Sequence, residues 1–321
     1  MTGSGYKRAL VTGGAGFIGS HVTERLLALG VRVRVLDNLS VGVRENVPRG
    51  AELVIGDVRD AATVARALDG VDVVFHLAAR VSIRASVDRF YDDAQTNVMG
   101  TLTVLQACAE RKVRRFVYAS SMGVYADAPS PDPIPETYPT EPISPYGVGK
   151  LAGEKYLLCL AGVLGLEPVI LRYFNTYGPR QGYTPYVGVI TIFIKRLLAG
   201  EPPIIFGDGE QRRDFVYVGD VADATVLASL NDVAGEVFNI GTGRATSVNQ
   251  IADLLCRKLN PSIRPEYAPE HPGELRYSVP DISKARRLLG YAPKGRLEEK
   301  IDEVIAWHLR ASARGVQANT W

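Results

Sequence analysis

The feature that most constrains this chain is a glycine cluster set between two short apolar runs near its start. RALVT (Arg8 to Thr12) reads as a strand and GGAGFIG follows. SHVTERLLALG then carries a helical pattern closing at Gly30, and VRVRVLD (Val31 to Asp37) reads as a second strand. Gly13, Gly16 and Gly19 thus occupy the turn and first helical turn of a strand–turn–helix–strand unit, with Phe17 and Ile18 between the last two. A side chain there would block the turn, the approach of a pyrophosphate or the helix–sheet contact, and the helix N-terminus offers unpaired N–H donors to an anion. A glycine triplet alone is weak, but here strands flank it on both sides, as the motif demands. Asp37 ends the second strand 18 residues beyond Gly19, about where a carboxylate receives ribose hydroxyls, and Asn38 follows it. An anion there also disfavours a 2′-phosphate, so the expected cofactor is NAD rather than NADP. The plainer reading of Asp37 is a turn residue ahead of Asn38.

The alternation continues through AELVIGD, a strand ending at Asp57 and Val58, and DAATVARALDG, a helix. VDVVFHLAA arrives at the small residues Ala78 and Ala79, just after Leu77. A helical region through TNVMGTLTVLQACAE, starting near Asn97, leads to the strand RRFVYASS, which ends at Ser120 and Ser121. Such short apolar runs read as parallel strands buried on both faces, and ligands collect at their C-terminal ends. The fold class expected is α/β, a Rossmann-type doubly wound parallel sheet. At 321 residues there is room for an appended lobe. The rhythm breaks after LRYFNTYGPR, where a loop rich in Gly, Pro and Tyr (Gln181 to Gly188) precedes the amphipathic pattern ITIFIKRLLAG. This predicts a nucleotide domain from 1–174 plus 212–240 and a smaller, discontinuous C-terminal substrate-binding lobe from 175–211 plus 241–321, with the ligand cleft between them.

Charge argues against a nucleic-acid partner: 37 basic and 35 acidic residues leave a net charge of +2. The densest cationic run, ERKVRR (Glu110 to Arg115), runs into an apolar strand and reads as a solvated helix end. Cys108, Cys159 and Cys256 are scattered thiols in apolar, helix-like contexts and read as core or near-core. No apolar segment has the length of a membrane span or a signal peptide, so a cytoplasmic location is expected. His21 and His76 read as packing or capping groups, and no clustered His/Cys/Asp set suggests a metal.

SPYGVGK (Ser144 to Lys150) follows a proline-broken loop and places Tyr146 and Lys150 one helical turn apart on one face. A nicotinamide over this sheet needs a base that removes a hydroxyl proton while hydride leaves carbon. Tyrosine, with a pKa of about 10, is too weak at neutral pH, and a cation one turn away favours the phenolate. Ser121 at a strand end can hold the substrate oxygen, and Lys150 can also reach the cofactor ribose. Ser121, Tyr146 and Lys150 therefore form a coherent orienter, base and activator.

The segments GGAGFIGSH, GDV, HLAA, NVMGT, SSMGVY, SPYGVGK and LRYFNTYGPR together resemble the extended short-chain dehydrogenase/reductase family, and within it the nucleotide-sugar epimerases, above all UDP-hexose 4-epimerases. GDGEQRRDFVYVGDVADA and HPGELRYSVPDISKARRLLGY extend the likeness over essentially residues 7 to 310. The resemblance implies that Asp57 bonds adenine beside Val58, and that Asn175 and Arg213 meet the sugar-nucleotide diphosphate. It also implies that Phe206 lines the uracil pocket and that Ser278 helps set the space at the sugar C2 substituent. Serine there leaves room for an acetamido group. Arg84, in VSIRAS, lies in a loop that can approach the sugar and read a C6 carboxylate. His271 stands where the family usually carries arginine and brings less charge to a phosphate or ribose. Met122 and Gly123 stand where sugar 4,6-dehydratases carry an Asp–Glu pair, which argues against dehydration. What the resemblance implies is an NAD-dependent C4 epimerase of UDP-glucose/UDP-galactose, or of their N-acetyl counterparts, working as a homodimer. UDP-glucuronate epimerisation or decarboxylation, and a non-catalytic NAD-binding scaffold, are the alternatives.

Overall fold

A computed structural model describes residues 5–182, 188–270 and 275–313. The first half alternates β1 (Arg8–Thr12), α1 (Phe17–Ala28), β2 (Arg32–Asp37), β3 (Glu52–Ile55), α2 (Ala61–Ala67) and β4 (Val73–His76). The short helices α3 (Ile83–Asp88) and α4 (Phe90–Ala94) lead through one wide π-helical stretch, Gln95–Gly100, into α5 (Thr101–Arg111). Then come β5 (Arg115–Ser121), the long α6 (Pro145–Leu164) and β6 (Glu167–Tyr173). The second half contains β7 (Asn175–Tyr177), α7 (Val189–Leu198), β8 (Ile204–Phe206), β9 (Arg212–Arg213), β10 (Phe215–Tyr217), α8 (Val218–Leu230) and β11 (Val237–Ile240). It closes with β12 (Thr246–Ser247), α9 (Val248–Leu259), β13 (Glu266–Ala268), β14 (Tyr277–Ser278), α10 (Ser283–Leu289) and α11 (Leu297–Ala313).

Seven strands form one parallel sheet in the order β11-β6-β5-β4-β1-β2-β3. Strand order reverses between β1 and β4, and the crevice at such a switch point is where doubly wound sheets take their ligand. The pleat of β1 explains why its sequence is continuously apolar. Ala9 and Val11 join a core layer with Val22 and Leu26 of α1 and Val221 of α8, while Leu10 joins the opposite layer with Val64 of α2, Leu105 of α5 and Leu157 of α6. Both faces are covered by helices, as expected of a parallel sheet.

The remaining small sheets build a lobe with its own core, in which Ile190, Phe193, Ile194 and Leu197 of α7 pack with Ile251 and Leu255 of α9 and Val304 of α11. Each such fully buried side chain contributes about 1.5–3 kcal/mol relative to exposure. The lobe does not own all of the C-terminal segment. Ile282, Ala285, Leu289 and Tyr291, on and beside α10, pack in the core of the large sheet with Phe238 and Ile240 of β11. Cys108 and Cys256 are buried, but Cys159 is exposed on α6, so the expectation of core or near-core thiols fails at that position. Periodicity alone could not say which side of a largely apolar helix faces out. Among the described residues, no helix is long and apolar enough to cross a membrane.

Candidate active site

The helix that carries Tyr146 and Lys150 is fixed at both ends by local chemistry. Ser144 Oγ accepts from Gly147 N at 3.1 Å, Pro145 opens the first turn, and Gly165 closes the helix with φ of 64°. Its start lies close to the turn after β5: a Cβ at Gly147 would overlap the carbonyl oxygen of Gly123. That contact brings Tyr146 beside Ser121, whose hydroxyl accepts from Gly123 N at 3.1 Å. Ser86 of α3 adds a further tie, accepting from Tyr146 N at 3.2 Å.

The electrostatics differ from the sequence expectation. Burial pushes the Tyr146 phenol up to about 12, with the hydrogen bond from Ser121 opposing and the Asp93 carboxylate adding to the rise. Lys150 is not what governs it. The Lys150 Nζ donates to Ala119 O at 2.7 Å and lies 5.0 Å from the centre of the Tyr118 ring. Burial pulls Lys150 down to about 8, against the fields of Asp93 and Glu154. Helical spacing placed the two side chains correctly; the desolvation that sets their proton affinities comes from the strands and helices packed around them.

The cofactor side is a turn shaped by backbone contacts. Gly13 has φ of 71°, and a Cβ there would stand 2.7 Å from Ala78 N, so the glycine turn and the end of β4 close on one another. A Cβ at Gly19 would overlap the Gly13 carbonyl. Gly16 caps α1 with no side-chain hydrogen bond, and the first turn, Phe17 to Gly19, has no acidic residue. This N-terminus fits an anionic pyrophosphate. Asp37 is 8% exposed, accepts from Ala15 N at 3.0 Å and Leu39 N at 2.8 Å, and is raised by burial. Asn38 donates to Asp57 at 3.0 Å, and Arg59 holds the same carboxylate through its backbone and guanidinium, taking it down to about 2. Val58 is buried against α5. A glycine cradle, a buried carboxylate at the end of β2 and an ionised one beyond β3 are a donor and acceptor set that fits NAD.

Other predicted residues have more structural work than the sequence suggests. The Asn97 carboxamide is bonded to both N and O of Arg80 at 2.9 Å, bracing the loop that follows Leu77, Ala78 and Ala79. His76 is buried between Thr12 and Thr101, and His21 bonds the Pro179 carbonyl, so both pack as expected. Arg180, at the end of the LRYFNTYGPR segment, forms an ion pair with Glu24 and hydrogen bonds to His21, clamping α1. Arg84 is exposed in the first turn of α3.

On the substrate side, β7 begins two residues after Tyr173, the register partner of Ser121, so Asn175 lies at the same edge of the sheet. Asn175 Nδ2 is buried without a protein partner, which suits an outside acceptor. Strand β14 pairs with β9 so that Ser278 stands beside Arg213. Ser278 is 1% exposed, and its hydroxyl donates to Met122 Sδ at 3.2 Å, touching the turn that follows Ser121. The Arg213 guanidinium donates to the carbonyls of Arg212, Leu275 and Arg276. Phe206 borders a small cleft with Asp208, Gln211 and Arg276, and its carbonyl accepts from Gln211. His271 lies outside the described residues.

Motif reading does not single out Asp93, Glu154, Arg172 or Asp214. Glu154 is four residues beyond Lys150, a spacing that was available as a signal, and it binds Arg172 through two hydrogen bonds and Ser120 at 2.5 Å. Asp214 is fully buried and accepts from the backbone N–H groups of Thr242, Gly243 and Arg244, tying β9 to the loop after β11.

Residues 9–241 match the NAD dependent epimerase/dehydratase family. The UDP-glucose 4-epimerase of Mycolicibacterium smegmatis is 40% identical over 304 residues, 93% of this chain and 97% of that one. The crystal structure of UDP-glucose 4-epimerase from Thermotoga maritima, with UDP-glucose, has a TM-score of 0.91 and 42% identity, covering 95% of this chain and 99% of its own. A UDP-N-acetylglucosamine 4-epimerase from Methanobrevibacter ruminantium, in complex with UDP-N-acetylmuramic acid, has a TM-score of 0.90 and 35% identity over 95% and 99%.

Proposed function

Because this chain belongs to the NAD dependent epimerase/dehydratase family, we propose that it inverts C4 of a UDP-hexose through a transient 4-keto sugar. UDP-glucose and UDP-galactose are the first candidate pair, and UDP-GlcNAc and UDP-GalNAc the second. The observation that carries the reading is that Ser121 and Tyr146 lie together around Gly123, with Lys150 one turn on, at the C-terminal edge of the sheet. Asn175 and Ser278 stand at the same edge.

Bound NAD supplies the hydride acceptor and a positively charged ring. Ser121 holds the 4-hydroxyl, and Tyr146 takes its proton. A phenol held up at about 12 by burial, with Lys150 already one turn away, gives up its own proton only when more positive charge comes close, which the ring of bound NAD would add. In the return step Tyr146 gives the same proton back to the 4-oxygen as hydride returns to C4 of the turned ketone. The short Ser278 side chain, set against Met122, is the proposed gate at C2, and its small size is what favours the N-acetyl sugars as a second substrate pair. Met122 and Gly123 offer no acid–base pair for loss of water.

The proposed assembly is a cytoplasmic homodimer. Val148, Tyr156, Cys159 and Val163 form one exposed face of α6, and Tyr91 and Met99 are exposed on the helices packed against it. Such a face suits a second copy of the same helices.

The test is a side-by-side assay of purified protein on UDP-glucose, UDP-GlcNAc and UDP-glucuronate without added cofactor, followed by extraction of the bound nucleotide. Epimerisation with NAD recovered and none consumed is expected. Release of carbon dioxide from UDP-glucuronate, or recovery of NADP, overturns it.

A further inference from the structure

We infer that Asp93 is a positioning residue of this site: its buried carboxylate is the anion against which the Lys150 ammonium is held charged and in place. The inference rests on the role of Lys150 given above.

Asp93 is 2% exposed and sits on the last turn of α4, where that helix packs against α6. One of its oxygens accepts from Asn97 Nδ2 at 3.0 Å. Asn97 is itself bonded to the Arg80 backbone, which fixes the donor that this carboxylate meets. The other oxygen points at α6: it would lie 3.5 Å from a Cβ on Gly149, the residue beside Lys150. Glycine at that position lets the carboxylate approach the helix. The π-helical stretch that follows, Gln95–Gly100, widens the turn carrying Asn97, and such stretches are frequent at functional sites.

Counting charges around the ammonium separates Asp93 from its rival. Glu154 lies on the same helix as Lys150, but its carboxylate is committed to a two-point pair with Arg172 and to Ser120. Asp93 feels the positive fields of Lys150 and Arg80. The other groups facing Lys150 are the Tyr118 ring and the neutral His76 on the strands, and Tyr146 on its own helix. None of these supplies a further anion. A buried ammonium with no anion opposite would lose its proton or its place.

The experiment uses full-length protein carrying NAD and labelled with ¹⁵N-lysine, with the Lys150 Nζ signal assigned through Lys150→Arg. Asp93→Asn keeps the shape and the acceptor for Asn97. It should lower the pH at which Lys150 titrates by about one unit. The alkaline fall in UDP-glucose turnover should move down with it. Asp92→Asn, on the neighbouring partly exposed acid, should move neither. An unchanged Lys150 titration in Asp93→Asn overturns the inference, and Asp93→Ser is read in the same way if the first variant does not fold. In the unmodified protein, a ¹³C carboxyl signal showing Asp93 protonated at neutral pH overturns it without any variant. If no UDP-hexose is turned over, the proposed function falls while the Lys150 titration still decides the role of Asp93.

Discussion

The two halves of this molecule build their sites in opposite ways. In the nucleotide half, the residues that matter sit within short contiguous stretches and are held by that same stretch or its immediate sheet neighbour. Gly13 closes on Ala78 across adjacent strands, and Ser144, Tyr146 and Lys150 share two helical turns. In the substrate half, partners meet from far apart: Ser278 stands beside Arg213 and touches Met122, and Asp208 pairs with Arg276 at 2.7 Å. The difference teaches that a local motif carries its own geometry, whereas a lobe threaded from several segments acquires geometry only when they dock.

The largest expected effect breaks the local half. Tyr146→Phe should lower turnover by about 10³-fold, as expected for loss of a general base or acid, and leave NAD content unchanged. A near wild-type rate would remove Tyr146 from the chemistry.

Next comes stability. Glu154→Gln leaves Arg172 buried without its counter-ion and should cost about 3 kcal/mol in denaturant unfolding. Replacing both partners with Met and Leu should recover much of that loss. A single variant as stable as the parent would show that the pair is not what holds β6 to α6.

A smaller effect sharpens the other half. Ser278→Tyr should change the ratio of N-acetyl to non-acetyl turnover by about tenfold, the scale of one pocket contact. An unchanged ratio would mean that the β9–β14 pairing does not gate the sugar.

The smallest expected effect is Ser144→Ala, which removes the cap of α6 and should cost about 1 kcal/mol with substrate preference intact. Stability is the measurement. A loss of several kcal/mol would show that the cap also holds the turn at Gly123.

Much of the fold was legible because its signals are local. Both the order of strands and helices and the start of α6 at Ser144 follow from period, glycine placement and capping chemistry. The seven-stranded parallel sheet bears out the Rossmann-type expectation. The Arg180–Glu24 pair went unseen and Cys159 was placed too deep for one reason: nothing in their own neighbourhoods says what lies across from them. Arg180 meets Glu24 from 156 residues away, and Cys159 faces out of a helix whose sequence is apolar nearly all round.

By itself, the sequence determined the nucleotide fold, the glycine turn at its start and the one-turn spacing of Tyr146 and Lys150 on α6, because backbone sterics and helical spacing act over a few residues. Only the tertiary structure decided the proton affinities of Tyr146 and Lys150, the closed Glu154–Arg172 pair and the placement of Asp93 against α6. Desolvation and charge pairing depend on every element packed around a group, and those elements are brought together only when the sheet and its helices close.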